Sequence, residues 1–199
     1  MGGFQCDGDD DHLPRGTRTV FLIGPREPGF WPHLKAQPEW AGEDPVDRWS
    51  RRVIGRLACD LGGKALFPFG AAPWLPFQSW ALRSGAAWQS PVRLLVHRWQ
   101  GLMVSYRGAL AFQEVISQPR VDPHSPCETC VQKPCLTACP VAALGVGGYD
   151  VPACKQFLAQ PDGADCLNLG CAVRRACPVS VGYARLAEQS AYHMGKFNK

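Results

Sequence analysis

An α+β chain in two parts is what the sequence predicts: a small α/β N-terminal domain, then a cysteine-rich module closed by a C-terminal helix. Three observations lead there. Residues 18–112 alternate short apolar runs with one clear amphipathic helix. Eight of the ten cysteines fall between Cys127 and Cys177. The stretch from Val181 to Phe197 reads as a closing helix that packs back onto the first domain. The expected division is a flexible tail over 1–17, an α/β domain over 18–122 able to dock a cofactor or a partner, and the cysteine module over 123–199.

Composition bounds the function classes. Hydrophobic residues at 46% and charged residues at 19% describe a folded chain rather than a disordered one, and 18 prolines with 21 glycines predict many turns. No apolar run reaches the roughly 20 residues that a membrane-spanning helix needs. A formal charge of +4 is too small to argue for nucleic acid. The N-terminal residues show no basic region followed by an apolar run, so the expected location is cytoplasmic.

The tail carries an acidic run from Asp9 to Asp11 and a lone Cys6, read as an inconsequential thiol. Thr17 to Ile23 is β-branched and apolar and ends at Gly24-Pro25, as a buried strand entering a turn does. Phe30, Trp31 and Trp40 sit in a proline-interrupted segment and are read as packing residues. A helix follows with Asp44 as N-cap and Pro45 at its first position; Val46, Trp49, Val53, Leu57 and Leu61 mark its apolar face, and Gly62-Gly63 ends it. Arg48, Arg51, Arg52 and Arg56 occupy its other faces. Ala65 to Phe69 reads as a second strand, and Phe77 to Arg83 as a helix stopping at Gly85. Val92 to His97 and Leu102 to Tyr106 are strand-like runs around a hairpin, and Gln113 to Asp122 is a link to the cysteines.

The cysteine order is the most specific feature. Cys127, Cys130, Cys135 and Cys139-Pro140 keep the opening C-x2-C and closing C-x3-C-P of the bacterial cubic-cluster run, with two residues inserted. Cys154, Cys166, Cys171 and Cys177-Pro178 form a widened second set. In two-cluster ferredoxins the fourth cysteine of a run ligates the other cluster. That rule assigns Cys127, Cys130, Cys135 and Cys177 to one cluster and Cys139, Cys154, Cys166 and Cys171 to another. The expected fold is then a ferredoxin-like two-[4Fe-4S] module. Three alternatives stand beside it: a disulfide framework, a pair of four-cysteine zinc sites, or a second set that has lost its cluster.

The order of a small α/β domain, the segment from Trp88 to His97 with Gly101 to Leu110, and then two cysteine sets resembles the epoxyqueuosine reductase and reductive dehalogenase superfamily, in particular its short ferredoxin-like members. Asp150-Val-Pro-Ala-Cys154 stands where the larger enzymes have an isolated fifth cysteine. The resemblance implies a cobalamin on the N-terminal domain, faced by residues around 67–80 and 84–106, with His97 and Tyr106 as cofactor-binding residues. The catalytic Asp of those reductases has Gly70 in its place here, which argues against their tRNA reaction.

Two functions follow. One is an iron-sulfur electron-transfer protein whose two [4Fe-4S] clusters relay single electrons to a redox partner protein, with Lys133, Arg174 and Arg175 attracting an acidic one. The other is a corrinoid- or flavin-dependent reductase, an oxidoreductase with the clusters as an internal wire. No catalytic residue can be assigned for it, and the sequence leaves the oligomeric state open.

Overall fold

The computed structural model describes residues 1–6, 10–119 and 122–199. Asp9 of the acidic run and Arg120 and Val121 of the link lie outside them. In chain order the elements are β1 (Gly3–Gln5), β2 (Thr19–Ile23), α1 (Phe30–Lys35), α2 (Pro45–Asp60), β3 (Lys64–Leu66), α3 (Phe77–Arg83), β4 (Ala87–Gln89), β5 (Leu95–His97), β6 (Gly108–Phe112), α4 (Pro126–Thr129), β7 (Leu144–Gly145), β8 (Gly148–Tyr149), α5 (Val151–Leu158), α6 (Ala164–Leu169), α7 (Ala172–Ala176), α8 (Pro178–Gly182) and α9 (Ala187–Phe197). Two compact units divide the chain: residues 1–86 with 105–123, and residues 87–104 with 124–199. The β4–β5 segment therefore belongs with the cysteines.

The first unit is built on an open sheet in the order β1-β2-β6-β3. Every pairing in it is antiparallel. The α/β expectation is corrected accordingly to a mixed α+β arrangement. Parallel pairing needs a crossover between neighbouring strands, whereas β2 and β6 are joined as neighbours across a long excursion that reverses direction. Where a tail was expected, Gly3–Gln5 adds an edge strand, pairing Phe4 with Val20. Central β6, reading Gly-Ala-Leu-Ala-Phe, is buried at every position.

Helix α2 lies on this sheet through Ile54 and Ala58, which pack with Leu110 and Phe112. Its buried line is Val46, Ser50, Ile54 and Ala58, not the line through Leu57 and Leu61, which are exposed. Small residues at 50 and 58 let the helix approach the sheet, and the Ser50 hydroxyl is satisfied by donating to the Val46 carbonyl at 2.7 Å. A Cβ on Gly108 would meet Ile54 Cδ1 at 2.8 Å. Asp44 does precede the helix, but in a left-handed conformation and without a side-chain cap bond. Among the arginines, Arg52 pairs with Glu39, and Arg56 with Asp60 at 2.8 Å.

The second unit has short helices and two two-stranded pieces, β4-β5 and β7-β8. Of the predicted hairpin between 92–97 and 102–106 only the turn forms, as an antiparallel bridge between His97 and Gly101, and β5 pairs instead with β4, Trp88 opposite Val96. Its core gathers Val92, Val96, Leu102, Leu144 and Val173 with Cys135 and Cys177. The closing helix is shorter than expected, and α9 packs against α6 within the same unit. No helix among the described residues is long and apolar enough to cross a membrane.

Candidate functional site: two cysteine-lined cavities

The second unit holds two cavities with cysteine walls. The larger, about 480 Å³, is lined by Cys127, Cys130, Cys135 and Cys177 together with Val96, Leu102 and Pro178. Cys127 sits in the first turn of α4, whose start is fixed by a capping box: Ser125 Oγ accepts from the Cys127 amide at 3.2 Å, and the Ser125 amide donates to Glu128 at 3.0 Å. Cys135 follows the left-handed Lys133 in a short 3-10 turn over Pro134–Leu136. Cys177 is the extended residue that caps α8, with Pro178 at its first position.

Backbone from the segment after β5 closes down on Cys177. Gly101 adopts φ +56°, and a Cβ there would lie 3.0 Å from Cys177 Sγ and 2.5 Å from the Ser180 nitrogen. The Leu102 amide donates to Ser180 Oγ at 2.9 Å, holding that approach. Glycine is needed here both for its conformation and for the missing side chain.

The smaller cavity, about 30 Å³, is lined by Cys139, Cys154, Cys166 and Cys171 with Tyr149, Leu158 and Met194. Cys154 is carried by α5, whose Asp150 cap accepts from the Ala153 amide at 2.9 Å. The Tyr149 hydroxyl donates to Cys154 Sγ at 3.4 Å. Cys166 comes from α6, and Cys171 caps α7. Arg174 is half-buried beside this cavity, donating to the Leu102 carbonyl; desolvation lowers its pKa, and the neighbouring Cys171 and Tyr149 oppose that shift.

Cys127, Cys130, Cys135 and Cys177 thus line one cavity and Cys139, Cys154, Cys166 and Cys171 the other. None of the eight is in a disulfide, nor is Cys59, nor Cys6, whose Sγ donates to the Thr17 carbonyl at 3.1 Å. Burial pushes the Cys127, Cys135, Cys154 and Cys166 thiols up, so these groups hold their protons at neutral pH.

Among the described residues, no group of three or more His, Cys, Asp or Glu side chains is placed so as to hold a metal ion. That finding overturns the two [4Fe-4S] clusters, the ferredoxin-like fold class, the iron-sulfur electron-transfer function with its metal-binding character, and the corrinoid- or flavin-dependent alternative in which those clusters form the internal wire. The physical reason is that spacing fixes the order of thiols along a chain, while ligation needs their sulfurs at set distances from a common centre. No family model, curated protein or solved structure matches the chain. The resemblance to the epoxyqueuosine reductase and reductive dehalogenase superfamily is likewise corrected.

The remaining sequence candidates belong to different units. His97 is in the second unit, 1% exposed, with its Nδ1 accepting from the Trp99 amide at 3.3 Å and its ring edge-on to Trp99. Tyr106 is in the first unit. Its hydroxyl is buried with no partner among the described residues, and burial raises its pKa. Gly70 lies in the loop between β3 and α3, at φ +119°. Sequence reasoning missed Gly101 and Ser180, whose role arises only from a contact across many residues.

Proposed function

We propose that the chain works through the thiols of its second unit, at two independent sites of four cysteines each. The observation that supports this is the division of eight thiols between two cavities with no cysteine shared. Thiols that burial keeps protonated are poor single nucleophiles. Four thiols lining one cavity favour the joint use of several sulfurs.

The test is mild oxidation of the reduced chain with diamide, followed by mass-spectrometric mapping of disulfides. Each bond joins two thiols and gives two electrons and two protons to diamide. Disulfides are expected within a set, such as Cys127 with Cys177 or Cys154 with Cys171. A dominant Cys135–Cys139 product would overturn the reading.

A further inference from the structure

The first unit contains a cavity that the thiol chemistry does not use. About 470 Å³ in volume, it opens beside the end of β2, where α1 and α2 meet. Ile23, Phe30, Val53 and Ile54 give it apolar walls, and the Trp49 indole forms one side. Phe30 meets Trp49 edge-on at 5.4 Å and 69°, and the His33 ring does so at 5.9 Å and 75°. These contacts hold the indole in place.

The ionisable groups in the walls are basic. Arg26, His33 and Arg107 line the cavity, and no Asp or Glu does among the described residues. Arg107 is fixed from behind: it bonds to Asp47 and donates from Nε to Ser50 Oγ at 3.3 Å, while its amide donates to the Ile23 carbonyl at 2.8 Å. Asp47, which holds Arg107, and Glu27, next to Arg26 in the chain with its carboxylate buried, are not among the lining residues. Trp49 Nε1 is buried and finds no acceptor among the described residues. A buried donor without an acceptor costs free energy, and an incoming acceptor would recover it.

We propose that this cavity binds a small aromatic anion, its ring on the apolar walls and its anionic group at Arg26 and Arg107. The volume suits a molecule of one or two rings, within the lower range of ordinary ligand pockets. A guanidinium pair recognises a carboxylate or a phosphate alike, so the shared chemistry is a compact oxyanion attached to an apolar ring.

The full-length chain is titrated calorimetrically with benzoate and with phenyl phosphate, and in parallel with benzyl alcohol and with inorganic phosphate. Saturable binding of at least one aromatic anion is expected, and which of the two binds more tightly tells carboxylate from phosphate. Arg26→Ala, at an exposed position, should weaken that binding about tenfold, the loss of one charge-assisted hydrogen bond, with an unchanged thermal midpoint. A change in tryptophan emission is also expected on binding, and Trp49→Phe should remove most of it. Absence of binding by both aromatic anions would overturn the proposal, as would equal binding of benzyl alcohol or of inorganic phosphate, or an Arg26→Ala variant that binds as the parent does.

Discussion

Ile54 and Leu57 lie three residues apart on α2, and their fates differ. Ile54 is 2% exposed under the sheet, and Leu57 is 37% exposed. Ile54→Ala removes buried methylenes and leaves a void beside Gly108 and Leu110, so it should cost about 2–4 kcal/mol in urea unfolding. Leu57→Ala should cost less, about 1 kcal/mol, since more than a third of its surface stays in water on folding. Equal costs at the two positions would mean that the helix presents the other face. The sequence could not make this distinction, because Ser50 and Ala58 look weaker than Leu57 and Leu61 as core residues. They are buried because the helix has to come close, not because they are large.

Among the elements, the strand assignments show where local signals suffice. Thr19–Ile23 was legible from its β-branched run, and Phe77–Arg83 from its apolar start and the left-handed Gly85, at φ +64°. β6 was not legible, since glycine and alanine carry little strand preference and the segment becomes a strand only between β2 and β3. The tight segment after β5 shows the same limit. Gly101→Ala forces a side chain into the left-handed region and against Ser180 and Cys177, so it should destabilise the second unit by about 1–3 kcal/mol. It should also speed alkylation of Cys177, followed by mass spectrometry under native conditions. An alanine variant with unchanged stability and unchanged Cys177 reactivity would show that this approach is not tight in solution.

On the scale of the whole chain, the second unit is assembled from two separated stretches, 87–104 and 124–199. Val92, Val96 and Leu102 from the first stretch are buried with Leu144 and Val173 from the second. A chain ending at residue 123 should therefore expose those three side chains and bind a hydrophobic dye far more strongly than the full chain. A truncated chain that stays monomeric and dye-free would show that 87–104 belongs with the first unit. A division at a single boundary is the natural reading of a sequence, and a discontinuous unit is invisible to it, because loop closure over twenty residues costs little once the contacts are made.

By itself the sequence determined which residue types the chain offers and in what order: a long amphipathic helix, short apolar strands, and eight cysteines ending in two Cys-Pro steps. Local chemistry was enough for that, since propensity, capping and turn residues act over a few positions. Only the tertiary structure decided that the sheet is antiparallel and open, which face of α2 is buried, and that Gly101 lies against Cys177. It also decided how the sulfurs stand towards one another, and with that corrected the metal reading. These are distances between residues far apart in the chain, and they are set by packing that no stretch of sequence contains alone.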